Sequence, residues 1–583
     1  MKLSTQVLYI DLKRRIFSVE DRSDLFQYYI GGAGVGINLL RENCPKGADP
    51  LGPDNPIVFA VGPLVGLYPL ASKTVAMFKS PLTGNLGESH AGGRSAVAIR
   101  SAGYGAIVLK GKSETPVYLS ISDKDVKFKD ASGIWGIASS ITVGRIIREL
   151  ESGAGIRTIM RIGLAGEKLV SYASVITETY RHFGRLGLGA IFGSKKLKAI
   201  TISGNLGFEV SSRKQYRDTY DYVYKRAVES PVMKKYHDIG TSSNIMPLNL
   251  QKGLPTMNLK TATSTQAENI SGENLAEKYL GRRVACAHCP VACIHIAALR
   301  EPYEREPYFY KTTMIPYDYE LIYSLGSMLG VFDEKAMLHL IDHVEIWGLD
   351  AMSTGVILAW ATEAQENGLI TEAETLGLSL KWGDANTYIK VLEHLVKQPN
   401  DFYTTLALGV ENASKRYGGA DFALAFGGNE MPGYHTGPVG YIGYLTGARH
   451  SHLDGAGYSI DQAALKDKLP DAKVVAGKLL KEEAWRQILS SLVVCYFARG
   501  IYDKDTVIKT LETADHKITP EELDRISLEI LREKNQFKFM EGFKPDELRI
   551  PSRVFETASP LGKVDESYIR VSVAEFYKIL NFY

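Results

Sequence analysis

Apolar and polar residues alternate along several stretches of the first ~200 residues, the pattern of β-strands with one buried face. Residues 7–20 alternate on both sides of a Lys-Arg turn, and residues 116–130 alternate on both sides of a turn at 123–125. Each stretch therefore predicts a β-hairpin. Two continuous apolar runs, within 55–66 and 197–204, end in glycine and predict buried strands.

From about residue 207 onward, apolar residues recur at helical spacing instead. A run between 337 and 344 follows a predicted cap at Asp333 and precedes Gly348, which is typical of a helix end. Ser353 is predicted to cap a second helix that ends at Gly368. The chain thus changes from a strand pattern to a helix pattern.

These patterns predict an α+β protein with a β-rich N-terminal domain followed by two mainly α-helical domains. The predicted boundaries are residues 1–206, 207–415 and 416–583. A chain of 583 residues also exceeds the ~250–300 residues at which single cores stop growing. We find no internal repeat that would indicate a solenoid.

Composition narrows the classes of partner. A formal net charge of +2 gives no reason to expect a nucleic-acid partner, and nothing approaches the ~20 apolar residues of a membrane span. The first residues are charged and alternating, unlike a secretory signal. Five cysteines, three of them clustered, do not form a disulfide framework. We therefore expect a reducing, cytoplasmic compartment.

The clustered cysteines are Cys286, Cys289 and Cys293, at a C-x2-C-x3-C spacing. Three thiolates plus a nearby histidine, His288 or His295, would satisfy a structural zinc site. A [4Fe–4S] cluster instead needs four thiolates, and three clustered plus one remote can supply them. The spacing favours the iron–sulfur cluster over zinc, because no second C-x2-C pair exists to complete a usual zinc site. The fourth ligand is then one of the two remaining cysteines, Cys44 and Cys495.

Two glycine-rich segments, residues 78–112 and 181–200, stand out in the N-terminal part. Backbone N–H groups in such loops bind anions, and the second segment carries Arg181 and Arg185 among its glycines. Arginine over glycine backbone suits a phosphate-bearing cofactor. The alternative is a set of tight turns in a β domain. The two segments do not match the dinucleotide-binding pattern, because the acidic residue that this pattern needs is missing.

Several motifs together resemble the aldehyde:ferredoxin oxidoreductase family, the tungsten-dependent bis-pterin enzymes. In chain order they are "KSPLTGNLGESHAGG", "AGYGAIVLKGK", "GRLGLGAIFGSKKLKAI", "KGLPTMNLKT", "AENISGENLAEKY", "CAHCPVAC", "WGLDAMSTG" and "NEMPGY". The resemblance covers essentially the whole chain. It implies the three-domain fold of the family, with the N-terminal domain binding the tungstopterin.

The resemblance implies one [4Fe–4S] cluster held by Cys286, Cys289, Cys293 and Cys495. It also implies a tungsten bis-molybdopterin whose sulfurs bind the metal, with Mg2+ bridging the pterin phosphates. Cys44 is then a buried apolar residue. The cofactor-binding positions that it implies are Lys73, His90, Gly92, Gly93, Arg181, His182, Gly184, Arg185, Glu345, Leu349, Asp350, Ala448, Arg449 and Tyr496.

The family's catalytic glutamate corresponds to Glu320, in "IPYDYELIYSLG", which the residues alone would allow as an ordinary helix carboxylate. Its catalytic histidine corresponds to His452, since Leu453 follows as in the family, and His450 is the rival. His435 is a further candidate for the pocket wall.

The chain also departs from the family pattern. The second D-x-x-G-L-C motif is replaced by Ser490, Val493, Val494 and Cys495, so a carboxylate and a glycine are missing. Three positions carry a residue other than the family's usual one: Glu345 in place of aspartate, Lys73 in place of arginine and His90 in place of asparagine. Lysine keeps the charge of arginine but loses its two-pronged hydrogen bonding. These changes leave the cofactor expected and alter its hydrogen bonds.

The resemblance implies an enzyme that oxidises aldehydes to carboxylic acids and passes electrons through the cluster to ferredoxin. One alternative is a catalytic subunit paired with a ferredoxin-like iron–sulfur subunit, including in low-potential reductions. A more remote one is a non-catalytic iron–sulfur scaffold, suggested by the altered "SSLVVC" loop. A homodimer is a further expected assembly. The aromatic stretch 301–320 predicts either a substrate pocket wall or a protein interface.

Overall fold

The computed structural model describes residues 4–123, 125–152, 155–178 and 180–581 of the chain. Strands dominate as far as residue 204, and helices dominate after residue 213. The predicted α+β fold with a strand-rich first part is therefore confirmed. The three domain boundaries stay a prediction.

The strands within these ranges follow the alternation of the sequence. In chain order they are β1 (Gln6–Asp11), β2 (Ile16–Asp21), β3 (Ile57–Ala60), β4 (Thr74–Lys79), β5 (Leu86–Ala91), β6 (Ala106–Lys110), β7 (Val117–Ile121), β8 (Val126–Asp130), β9 (Ile156–Arg161), β10 (Val175–Ile176), β11 (His182–Phe183), β12 (Leu197–Gly204), β13 (Leu280–Val284), β14 (Ile294–Tyr303), β15 (Glu306–Tyr317), β16 (Ala425–Phe426) and β17 (Asn429–Glu430).

Two six-stranded sheets form the first part of the chain. Their strand orders are β2-β1-β6-β3-β4-β5 and β11-β10-β9-β12-β7-β8. Within them β1 pairs with β6 and β7 with β12 in parallel, and the other neighbours are antiparallel. Both predicted hairpins are confirmed as β1–β2 and β7–β8, although Lys124 of the second turn lies outside the described residues.

The α-helices of the described ranges are mainly in the second part. They are α1 (Ser23–Tyr29), α2 (Gly32–Asn43), α3 (Ser95–Ser101), α4 (Ser140–Leu150), α5 (Leu164–Glu167), α6 (Leu188–Ser194), α7 (Arg213–Val228), α8 (Pro231–Asp238), α9 (Ile245–Leu250), α10 (Gly272–Tyr279), α11 (Tyr319–Leu325), α12 (Glu334–Trp347), α13 (Ala351–Glu366), α14 (Ala385–Lys397), α15 (Asp401–Leu406), α16 (Val410–Tyr417), α17 (Pro438–Thr446), α18 (His452–Gly455), α19 (Gly457–Ala464), α20 (Ala472–Ser491), α21 (Lys504–Thr513), α22 (Pro520–Met540), α23 (Arg553–Glu556) and α24 (Glu566–Ile579).

Helix caps explain the ends of the two predicted helices. The Asp333 side chain accepts a hydrogen bond from Ala336 N, and Gly348 ends α12 in a left-handed conformation, as predicted. The predicted cap at Ser353 is wrong. Asp350 caps α13 instead, accepting from Met352 N, because its carboxylate stands directly before the first helical residue. Ser353 lies one turn inside and donates to Asp350.

The long helix α20 packs its C-terminal end against α2 and the loop that follows β3. There it contacts backbone rather than side chains: a Cβ added at Gly62 would lie 2.5 Å from Ser491 O. A Cβ at Gly32 would lie 2.8 Å from the same oxygen. Two glycines of the N-terminal part thus allow the C-terminal part to approach closely. This contact places the segment that follows α20 beside the sheet.

Hydrophobic packing joins both parts of the chain. The largest core contains residues from β1 through α24, including Phe59, Trp360 and Tyr577. Within the described ranges, none of the helices has both the length and the apolar character required to cross a bilayer.

A close-approach glycine should be sensitive to a single added methyl. We expect Gly62→Ala to lower the unfolding midpoint, because an overpacked contact costs about 1–3 kcal/mol. Gly477→Ala, inside α20 with open space at its Cβ position, is the matched control and should stabilise by about 1 kcal/mol. Urea unfolding followed by circular dichroism measures both. A Gly62→Ala midpoint equal to that of the wild type would contradict the close contact.

Candidate active site

One cavity of about 550 Å³ lies where the first sheet and the later helices meet. Its wall contains most of the side chains that the sequence singled out. These are Lys73, His90, Gly92, Arg181, His182, Gly184, Arg185, Cys286, Cys289, Cys293, Glu320, Glu345, Leu349, Asp350, His452, Cys495 and Tyr496. Five candidates are not among the wall residues: Gly93, His435, Ala448, Arg449 and His450.

The two cysteine-bearing segments meet at Leu70. Its N–H donates to His288 O at 3.2 Å, inside the cysteine triple, and its carbonyl accepts from Cys495 N at 2.8 Å. Beside it, Ala71 pairs with Val494, and Lys73 N donates to Val493 O. A loop of the first sheet therefore brings the remote cysteine to the triple. Cys44 is buried in the core, away from this wall.

Glycine and positive charge surround the cysteines. A Cβ on Gly92 would lie 2.7 Å from Cys286 Sγ, so only glycine fits there. Burial lowers the pKa of Arg181, but the nearby thiols of Cys286 and Cys293 outweigh this and raise it. Burial raises the pKa of Cys293 to about 11. Four thiols around a cavity beside a fixed cation fit an anionic iron–sulfur cluster. No group of three or more His, Cys, Asp or Glu side chains close enough for one metal ion occurs in the described part of the chain.

Acid–base pairs join the N-terminal loop to the later loop on one side of the cavity. His182 Nε2 lies 2.9 Å from Glu345 Oε2, and Arg185 Nε donates to Asp350 Oδ2 at 3.0 Å. Arg185 Nη2 also donates to Glu430 O at 2.8 Å. The substituted Glu345 therefore retains a carboxylate at the cavity wall, held by a histidine.

Contacts within the chain hold the loop near Cys495. Ser490 Oγ and Tyr496 OH are 2.5 Å apart, so the serine hydroxyl is satisfied inside the chain. Val493 adopts φ +55°, a left-handed conformation that glycine prefers and that β-branched residues rarely adopt. Lys73 Nζ lies 4.7 Å from the centre of the Tyr496 ring, a cation–π contact.

Glu320 and His452 face each other across the cavity wall. Glu320 Oε1 is 3.4 Å from His452 Nε2, and Glu320 Oε2 accepts from Gly433 N at 3.1 Å. Burial raises the pKa of Glu320 to about 8, and the Asp318 carboxylate adds to this. Burial lowers the pKa of His452 to about 3, with Arg185 adding to it. The pair therefore combines a carboxyl that titrates near neutrality with a neutral imidazole.

The two rival histidines lie elsewhere. His450 Nδ1 donates to Tyr444 O at 2.8 Å, and its Nε2 lies 3.1 Å from Lys538 Nζ. His435 bonds Tyr441 and Thr557 O and is absent from the cavity wall. Both imidazoles are satisfied within the protein.

The aromatic stretch does not form the pocket as a whole. Tyr303, Tyr308, Phe309 and Tyr310 are exposed, Tyr308 by 92%, because they lie in the outer part of the β14–β15 hairpin. Of the stretch's aromatic residues, only Tyr319 lines the cavity. The expectation of an aromatic wall from this stretch is wrong for the hairpin residues.

Other tyrosines provide the aromatic wall instead. The Tyr434 ring lies 4.9 Å from Tyr458, 5.0 Å from Tyr319 and 5.1 Å from His452. Sequence reasoning missed Tyr434 and Tyr458, although Tyr434 stands at the end of the "NEMPGY" motif. It also missed Arg486, a buried arginine in the middle of α20 that lines the same cavity.

Several buried polar atoms of the cavity wall lack a hydrogen-bond partner within the described ranges. They are Arg185 Nη1, Glu320 Oε1, His452 Nδ1 and Arg486 Nη2. Each such atom costs free energy unless a ligand or water satisfies it. Their convergence on one cavity is the signature of a site that binds a polar, charged cofactor and a substrate.

Comparison with models of protein families assigns the chain to one family over most of its length. Residues 7–204 match the family model "Aldehyde ferredoxin oxidoreductase, N-terminal domain". Residues 218–582 match "Aldehyde ferredoxin oxidoreductase, domains 2 & 3". The chain therefore belongs to the aldehyde ferredoxin oxidoreductase family, which confirms the resemblance drawn from its motifs.

Individual relatives match most of the chain. A tungsten-containing aldehyde ferredoxin oxidoreductase of Thermococcus kodakarensis is 30% identical over 98% of this chain and 95% of its own length. The WOR-like subunit of an aliphatic sulfonate oxidoreductase of Pyrococcus furiosus is 29% identical over 70% of this chain and 66% of its own. A solved structure, the active-site complex BamBC of benzoyl coenzyme A reductase with 1,5-dienoyl-CoA, shares the fold with a TM-score of 0.85, at 20% identity over 100% of this chain and 95% of its own.

The cysteine arrangement predicts which thiols hold iron. After anaerobic purification, Cys495→Ser and Cys289→Ser should lose most of the cluster iron, because a [4Fe–4S] cluster needs all four thiolates. Cys44→Ser is the matched control and should keep the wild-type iron content, since Cys44 lies in the core. Iron analysis and the visible cluster absorption measure this. Equal iron loss in all three variants would contradict the assignment of Cys495.

Proposed function

We propose that this protein is a tungstopterin oxidoreductase that oxidises aldehydes to carboxylic acids. The observation that supports this best is the Glu320–His452 pair, 3.4 Å apart, in a cavity that also holds four cysteines. Family membership and the names of the tungsten-containing relatives support the cofactor. When bound, a tungstopterin supplies a two-electron acceptor beside the substrate.

In this proposal the cofactor is held by residues from three parts of the chain. His182, Arg185 and Arg181 come from the N-terminal glycine loop. Glu345 comes from the last turn of α12, and Asp350 is the N-cap of α13. Arg185 Nη1 and Arg486 Nη2, which lack partners within the described chain, suit its anionic groups. Mg2+ between the pterin phosphates remains part of the proposal by resemblance.

Glu320 and His452 divide the acid–base work. The Glu320 carboxylate accepts the proton of the water molecule that adds to the aldehyde carbon. The neutral His452 imidazole donates a hydrogen bond to the carbonyl oxygen and orients it. His450 is satisfied by Tyr444 and Lys538 away from the cavity, so we assign the role to His452.

The Tyr434, Tyr458 and Tyr319 rings favour an aldehyde with an aromatic or otherwise apolar substituent, which packs against their faces. A [4Fe–4S] cluster held by Cys286, Cys289, Cys293 and Cys495 would supply one-electron transfer from the site to ferredoxin. Some relatives are named as subunits of larger enzymes, so a ferredoxin-like iron–sulfur subunit is the second candidate acceptor. The native mass of the anaerobically purified protein distinguishes the two. Five free cysteines fit the reducing, cytoplasmic setting that such a cluster needs.

Anaerobically purified protein should contain tungsten and reduce a viologen dye when an aromatic aldehyde is added. Glu320→Gln should lower the turnover rate by about 10²–10⁴-fold, the contribution of a general base, with tungsten, pterin and iron unchanged. His452→Asn should also slow turnover.

His450→Asn is the comparison variant and should slow turnover by less than about 10-fold, since it removes no proton-transfer group from the cavity. Steady-state kinetics on each variant, with metal content measured in parallel, gives the result. Metal-free wild-type protein would sink the proposed function. Full activity of Glu320→Gln would sink the assigned role of that residue alone.

The raised pKa of Glu320 predicts the pH dependence. A general base works as the carboxylate, so kcat/KM should rise with pH and level off above the Glu320 pKa of about 8. His452, with a pKa of about 3, stays neutral throughout and adds no step. A pH profile of wild type and Glu320→Gln from about 5.5 to about 9.5, measured with buffer controls, tests this. That range brackets the pH at which such a group titrates. The same step in Glu320→Gln would assign it to another group.

A further inference from the structure

A row of three charged or polar side chains stands behind one wall of the cavity. Lys534 Nζ lies 2.5 Å from Glu88 Oε2, and Glu88 Oε1 lies 2.7 Å from His90 Nε2. The Lys534 and Glu88 side chains are 2% and 1% exposed. His90 stands at the end of the row and lines the cavity.

The fold fixes this row. Glu88 and His90 are two residues apart on β5, so both side chains lie on the same face of the strand. Helix α22 crosses that face and supplies Lys534, which also lies 2.5 Å from Gln487 Oε1 on α20. The lysine is thus held from two sides, and it holds the carboxylate in turn.

The charges of the row decide which nitrogen of His90 carries hydrogen. Burial would raise the pKa of Glu88, but Lys534 and Arg449 outweigh it and hold the pKa well below its usual range. Burial lowers the pKa of His90 to about 4, so the imidazole is neutral near pH 7. An ionised carboxylate only accepts hydrogen bonds. His90 Nε2 must therefore be the N–H donor to Glu88, which leaves Nδ1 with a bare lone pair.

Within the described residues, the hydrogen bond of the His90 ring is made through Nε2 to Glu88, and Nδ1 is left for a ligand. The positive charges of Arg449 and Lys73 also lower the pKa of this imidazole. The Tyr496 ring lies 6.0 Å from it. The two cations suit anionic groups such as phosphate, whereas a lone pair repels a phosphate oxygen. His90 Nδ1 suits an N–H donor instead.

We propose that Lys534 and Glu88 are positioning residues that lock His90 with Nδ1 directed at the cofactor cavity, where it accepts a hydrogen bond from an N–H group of a pterin ring. This inference rests on the proposed function, because it requires a bound pterin. An amide side chain, the family's residue at this position, can rotate to offer either a donor or an acceptor and needs no such lock.

A purely structural ion pair is the competing explanation, and removing one partner of a buried pair is destabilising for that reason alone. The test therefore uses the charge-neutral double variant Glu88→Gln/Lys534→Met, made both in the wild type and in a His90→Asn background. The reference for each background is the same background without the double change. The unfolding midpoint of each variant is measured alongside.

In the His90 background, the double variant should lose pterin about tenfold faster on dilution, the weight of one hydrogen bond of ~1.4 kcal/mol. Pterin is counted by fluorescence after acid oxidation, and the tungsten midpoint potential should shift in the same variant. In the His90→Asn background neither quantity should change further. If Lys534 and Glu88 act through His90, the effects of the variants are non-additive in this way. If the pair is only structural, they are additive.

Equal losses in both backgrounds would overturn the inference and leave Lys534–Glu88 as a structural pair. Unchanged pterin retention and potential in the double variant would also overturn it. Loss of magnesium alone, with pterin retained, would assign Nδ1 to a metal-bound water instead. Absence of pterin from the wild type would be a failure of the proposed function, which is distinguishable because no variant is needed to see it.

Discussion

The structure depends on pairing charges that are removed from water. Charged side chains from the N-terminal sheet, the middle helices and the C-terminal helices surround one cavity, and burying any of them alone would cost several kcal/mol. The fold meets this cost by pairing across the parts of the chain: Arg185 with Asp350, and Glu88 with Lys534. Assembly of the parts and formation of the site are consequently one process.

Sequence patterns anticipated much of this architecture because they report local physics. Alternation predicted the hairpins β1–β2 and β7–β8, and an aspartate before an apolar run predicted the start of α12. The cap of α13 was misassigned, since Asp350 and Ser353 are both good caps and only the tertiary position of the backbone chooses between them. The prediction that the hairpin's aromatic residues line the pocket was wrong for a related reason. Aromatic residues occur equally well in a pocket wall and in a protruding strand pair.

The site was harder to predict where a residue works through a distant partner. Motif resemblance pointed to Glu320, His452 and the cavity-wall loops, but it could not show that His450 is occupied by Lys538, 88 residues away in the chain. Nor could it indicate that Lys534 controls the hydrogen of His90. The conformation of Val493 could not be predicted from the sequence either. Val493 holds the left-handed backbone of a lost glycine because its neighbours Lys73 and Leu70 fix the segment through hydrogen bonds.

The hydrogen bonds of Leu70 have a consequence for how the protein is made. The cysteine triple and Cys495 are far apart in the sequence, and Leu70, near the start of the chain, is hydrogen-bonded to both segments. If Cys286, Cys289, Cys293 and Cys495 hold one cluster, as proposed, a growing polypeptide cannot offer all four thiols until Cys495 has left the ribosome and α20 has docked on the N-terminal part. Insertion of the proposed cluster would then follow synthesis of most of the chain.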